Sequence, residues 1–453
     1  MIEWLVLIAL NVLLLAPSLR CGAVVDDNAM INKLREMKKK FWENKKTWKS
    51  IKSFIEVCTY GAGSTKNSRE DHSISIILNI VNTLLIYKLT NSFLCAFIWL
   101  CNPVNNQISL WLNGRRYAIS IMFSLLALNY NLFFLPFAGL AGMRHILSAP
   151  LFLFSGNIMV SIFCALLIIA VASKKYISAF KCRKKAFAPN NELQKINLKK
   201  SIIYIKTFGY YMIQMLFPTP KMYHKNLYYF GKYKEGVKKG YSLDKDFFMG
   251  LVIFSFFSYE MAIGNYWAFW VVLFISQWCG ICTVTMNAAD RYCSLPLVGF
   301  TMILIKYVSM LPNELQSAIY IMLTTIYLVK YIRLYRAYIS LFHFYDYHLE
   351  INPADVETRC YYAAKLVKDE PFKAMTLLND GLKMMPYDFK LLLNMVLVQL
   401  RVGRYDQVQH FMERAEKVIP LGEEEDTERE FKRIRKDLLM SATNRKQRRE
   451  MKL

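Results

Sequence analysis

Apolar runs of roughly 17–24 residues recur along this chain, and nothing else in it restricts the fold as strongly. A helix of about 20 such residues crosses a hydrocarbon core of about 30 Å, whereas in water it would expose apolar surface all round. The runs cover 2–19, 73–90, 92–111, 114–130, 131–147, 150–173, 201–218, 247–263, 265–286, 293–311 and 314–332. They predict an all-α protein with about eleven transmembrane spans, the third and fifth being the least regular. The first run reads as a retained helix, with a cleaved signal peptide as the alternative, because Cys21-Gly22-Ala23 follows it. Apolar residues make up 55 % and charged residues 20 % of the chain, which excludes a disordered or collagen-like polymer. The ten cysteines, scattered along the chain, read as apolar filler within helices.

Charge orients the spans. The stretch 174–200 carries nine Lys or Arg against the single acid Glu192, so it is expected on the cytoplasmic side. Eleven alternating spans then put loops 20–72 and 219–246 and the C-terminal tail on the outward side, lumenal or periplasmic. Two of those outward segments are themselves basic, against the simple charge rule. The expected location is the endoplasmic reticulum membrane or a bacterial inner membrane.

After the transmembrane region (1–333), the tail 334–453 is hydrophilic and helical in pattern. Pro353, Pro386 and Pro420 follow one another at 33 and 34 residues, the period of tetratricopeptide repeats. Ala374, Gly381, Gly403 and Ala415 fall where paired helices need small side chains. The last ten residues carry five basic groups and read as a solvated end rather than a nucleic-acid site.

Polar residues at span ends carry the chemistry, since each is costly in lipid. Asp26-Asp27, after the first run, suits a general base or a divalent cation, or else a charged loop that stops the helix from sliding. Asn102-Pro103-Val104-Asn105-Asn106-Gln107, then Asn113-Gly114-Arg115-Arg116, reads as a broken span with a phosphate cradle or as a bend with two snorkelling arginines. Asp290-Arg291-Tyr292, with Ser294 and Pro296, reads as a site or as an Asp and Arg that only pair or snorkel, and Gly142-Met143-Arg144-His145 as a catalytic His or a hydrogen-bonded helix-end residue. In the eleven-span arrangement all four clusters fall at outward ends. Carboxylates beside several arginines at a membrane face suit catalysis on a lipid phosphate.

The order of these segments resembles one family: His72, Asn79 through Tyr87, Asn102-Pro103-Val104 through Gly114-Arg115-Arg116, and Asp290 through Pro296. It is that of the protein O-mannosyltransferase-like GT-C glycosyltransferases with C-terminal tetratricopeptide repeats. The resemblance implies transfer of a sugar, usually mannose, from a polyprenyl-phosphate carrier to a hydroxyl of a polypeptide held by the repeats. Asp26 or Asp27 would be the base, and Arg115, Arg116 and Arg291, with Tyr292, would hold the donor phosphate. Asn102, Gln107, Arg144, His145 and Asp290 would support them. The residues form no metal cage in the sequence, though the Asp pair could hold a divalent cation. The chain departs from the pattern at Asn102 (His in the family), Gln107 (Glu), Met143-Arg144 (Lys-Glu) and Asp290 (Glu). A non-catalytic scaffold that binds a partner through its repeats is the alternative. A transporter would show matching halves, which the sequence lacks.

Overall fold

The computed structural model describes residues 2–22, 68–130, 198–219, 242–276, 278–279 and 289–418. These residues form helices and turns, with no strand among them. They divide into two compact units, whose described parts meet in sequence between Asn352 and Pro353. Residues 334–352 therefore belong with the first unit.

The first unit contains α1 (Ile2–Leu15), α2 (Ser68–Thr90), α3 (Phe93–Cys101), the single turn α4 (Asn106–Ser109) and α5 (Arg115–Asn129). It continues with α6 (Leu198–Leu216), α7 (Lys245–Ala262), α8 (Tyr266–Ser276), α9 (Pro296–Val308), α10 (Asn313–Tyr338) and α11 (Leu341–Ile351). Helix α2 packs on α1, α3 and α5, and α3 also meets α9 and α10. Trp99, Trp270, Phe274 and Phe208 are fully buried at the centre of this core. The α6–α7 pair owes its closeness to glycine. A Cβ on Gly209 would stand 2.6 Å from the Cα of Gly250, so any side chain there would force the helices apart. Beside that crossing, Phe208 meets the edges of Phe254 and Phe257 at 5.4 and 5.6 Å. Lys206, wholly buried, reaches Asp244 at 2.8 Å, and Asp244 also caps the first turn of α7.

The eleven-span expectation is corrected for the described residues. Three helical stretches are long and apolar enough to cross a membrane: Ile2–Arg20, His72–Thr90 and Asn313–Tyr338. Each leaves apolar side chains uncovered, such as Leu13 on α1, Ile77 on α2 and Ile321 on α10. Runs 131–147 and 150–173 lie outside the described residues. The run 92–111 is not one helix, because Pro103 forces Asn102 into an extended conformation and ends α3. Three runs yield only short apolar helices, Tyr117–Asn129, Tyr266–Ser276 and Pro296–Val308. Helices α6 and α7 have the length, but each carries three charged residues, Lys199, Lys200 and Lys206 in one and Lys245, Asp246 and Glu260 in the other. Glu260 is buried, accepting hydrogen bonds from Lys306 at 2.9 Å and from Asn265 and Tyr307.

The described part of the second unit is two helix pairs, α12 (Val356–Leu366) with α13 (Pro371–Met384), then α14 (Phe389–Val402) with α15 (Tyr405–Lys417). Each first helix follows the same signal, Pro353-Ala354-Asp355 and Pro386-Tyr387-Asp388. In both, the aspartate side chain caps the helix by accepting from backbone N–H groups of the first turn. Thirty-three positions apart, Lys390 and Glu357 join the two first helices at 2.9 Å. Ala374 and Ala415 are fully buried, and a Cβ on Gly381 would press within 2.6 Å of the Arg359 side chain. Gly403 ends α14 in the left-handed region, with φ 81°.

Candidate functional site

Where α3 stops, the chain crosses the core as irregular backbone: 3-10 turns Pro103–Asn105 and Leu112–Gly114 flank α4, and residues 102–112 are all buried. Buried backbone outside a regular helix leaves polar groups in need of partners, and the asparagines of this segment provide them. Asn102 accepts from the Val104 N–H and donates to the Met215 carbonyl at 2.8 Å. Asn105 donates to the Trp99 carbonyl at 2.6 Å, and Asn106 to that of Pro103 at 2.7 Å. Asn102 is thus a structural residue of the break. Gly114 closes the segment against itself, because a Cβ there would lie 1.7 Å from the Gln107 carbonyl oxygen.

A second irregular stretch, the 3-10 turn Asp290–Tyr292, packs on α4. Three aromatic side chains fasten it and its neighbours. Trp99 donates to the Ser294 carbonyl at 2.7 Å, Trp270 to that of Leu295 at 2.8 Å, and the Tyr211 hydroxyl accepts from the Ala289 N–H at 3.4 Å. Trp278 stacks face to face on Tyr292, with ring centroids 3.8 Å apart.

The two stretches bring the expected residues together. The Arg291 guanidinium donates to Gln107 Oε1 at 3.0 Å and to the Tyr292 hydroxyl at 3.4 Å. Its Cζ lies 4.9, 5.3 and 5.7 Å from the ring centroids of Tyr292, Tyr117 and Trp111, so aromatic faces surround the cation. Asp290 accepts from Asn106 at 3.1 Å, and Asn106 accepts in turn from the Tyr338 hydroxyl at 2.9 Å. Asp290 and Arg291 therefore reach different partners on α4, although they are adjacent in sequence. Arg115, at the start of α5, is 1 % exposed and its Nε donates to Ser75 of α2 at 3.4 Å. Snorkelling toward water is thereby excluded for both Arg115 and Arg291, the latter being 7 % exposed.

Asp26, Asp27, Arg144 and His145 lie outside the described residues, as does the side chain of Arg116. No group of three His, Cys, Asp or Glu that suits a metal ion occurs among the described residues. Asn106 was expected only as part of the run 102–107, without a role of its own, and Trp111, Tyr117 and Tyr338 were not singled out in the sequence. Only the asparagine-rich composition of 102–106 carried a local signal; the aromatics look like ordinary apolar filler until the fold gathers them. No family model, characterised protein or solved structure matches the chain.

Proposed function

We propose that the chain is a membrane glycosyltransferase of the GT-C kind, moving a sugar, mannose by resemblance, from a polyprenyl phosphate to a hydroxyl. The acceptor is a polypeptide bound by the C-terminal helix pairs, read as tetratricopeptide repeats. The observation that carries this reading is the burial of two guanidiniums, Arg115 and Arg291, beside helices apolar enough to lie in a bilayer. A buried cation favours an anionic ligand, and a departing phosphate gains negative charge as the glycosidic bond breaks. Gln107 matters here. The resembled family has an acid at this position, whereas here a neutral amide accepts from the guanidinium and orients it. Asp26 or Asp27 would take the acceptor proton, with Asp290 orienting α4 through Asn106.

The test is sugar transfer by the purified full chain, using labelled polyprenyl-phosphate mannose and a serine/threonine-rich peptide, with and without chelator. Transfer is expected, falling about 10²–10⁴-fold in whichever of Asp26→Asn and Asp27→Asn removes the base. Full activity in the double variant would refute base catalysis by this pair. Peptide binding without transfer of any lipid-linked sugar would overturn the enzyme reading in favour of a scaffold.

A further inference from the structure

Polar residues line one side of α2 at helical spacing: His72, Ser75, Asn79 and Asn82, none more than 3 % exposed. Deeper along the helix these side chains bond to neighbouring segments. Asn79 donates to Asn11 of α1 at 3.0 Å and accepts from Ser109 of α4 at 3.4 Å, while Asn82 donates to the Ala118 carbonyl at 3.0 Å. His72 differs. It is fully buried, yet neither ring nitrogen has a hydrogen-bond partner among the described residues. Nearly one turn along, Ser75 accepts from the Arg115 guanidinium at 3.4 Å, which brings Arg115 to the end of α2 that carries His72. A buried imidazole with both nitrogens unsatisfied is an unfavourable arrangement in a protein interior unless a ligand completes it.

We infer that His72, Ser75 and Arg115 form a site for the phosphate group of a phosphate ester, with the His72 ring N–H as one of its donors. The inference rests on the lipid-phosphate reading above and deepens it, by placing the phosphate at the α2–α5 junction and adding His72 to the residues that hold it. The donor set favours phosphate over carboxylate. A guanidinium fork alone saturates the two oxygens of a planar carboxylate, whereas a tetrahedral phosphate has further oxygens for a hydroxyl and an imidazole approaching from a second helix. The position favours a lipid source over free phosphate. His72 begins the stretch of α2 that is long and apolar enough to cross a membrane, so a phosphate held there lies at one end of that stretch, where a lipid headgroup would sit.

The experiment measures binding of farnesyl phosphate and of inorganic phosphate to the full chain in detergent. It compares wild type, His72→Leu, His72→Gln and Ser75→Ala, each first checked for an unliganded melting transition. Farnesyl phosphate is expected to bind wild type, to lose about tenfold in His72→Leu, and to recover in His72→Gln, whose amide restores an N–H donor. Should His72→Leu not fold, Ser75→Ala carries the comparison, with a loss of about threefold expected. Equal affinity in wild type and the donor-deleting variants would overturn the site. Inorganic phosphate binding as tightly as farnesyl phosphate would overturn the lipid source. Binding that depends on His72 in a protein that transfers no sugar supports the site and counts against the transferase. Transfer with binding indifferent to His72 does the reverse.

Discussion

Arg291 illustrates what one residue's surroundings do to its chemistry. Its guanidinium donates to Gln107 and Tyr292 and is walled by three aromatic rings, so the proposed donor phosphate would meet a cation already oriented and largely dry. Low local dielectric strengthens its interaction with an anion. Replacing Arg291 by Ala is expected to weaken donor binding by about 1–3 kcal/mol, and Lys to keep part of the charge but not the planar fork. Titrating a polyprenyl-phosphate donor against the three proteins checks this, and one shared affinity would move Arg291 to a structural role. Asp290 and Arg291 were both legible in the sequence as candidates. That they serve different partners was not, because neighbours in a 3-10 turn point in different directions and only α4 decides what each one meets.

At the scale of elements, the α6–α7 pair is built from a glycine contact and one buried lysine. Partial burial pushes the Asp244 carboxyl up, but hydrogen bonds from Lys206, Ser242 and the Phe247 N–H outweigh it and hold the group at about 2. The unfolded chain binds that proton near pH 3.9. Asp244 therefore contributes stability that is fully present above about pH 4 and lost as the pH falls toward 2. Thermal melts of wild type between pH 5 and 2 should show a decline that Asp244→Asn makes shallower. Parallel declines in the two proteins would assign it to other carboxylates. The helix pairs of the second unit were readable from the 33- and 34-residue spacing of Pro353, Pro386 and Pro420, and the structure adds that the first two prolines each stand two residues before an aspartate that caps the next helix.

For the whole molecule, the proposed transferase needs the Asp pair and the acceptor-binding helix pairs on one side of the membrane, so residues 27 and 400 are expected on one face. Single cysteines at these two positions, labelled from one side of sealed vesicles, should react together. Labelling from opposite sides would separate the base from an acceptor held by the helix pairs and overturn that reading.

Helix as the only regular structure among the described residues follows from the apolar runs, and the helix pairs near the C-terminus follow from the proline spacing, so the sequence alone determines both. Run length overcounted spans because hydropathy does not register where a helix ends, and the extended Asn102 before Pro103 ends α3 inside an apolar run. The cluster itself was a tertiary decision. Gln107 and Arg291 are 184 positions apart, Asn106 and Tyr338 are 232 apart, and Arg115 meets Ser75 from another helix. No local pattern encodes such pairings. They exist because indoles of α3 and α8 and a tyrosine of α6 fasten the 289–295 segment in the core, and packing of distant segments is what places these polar groups beside one another.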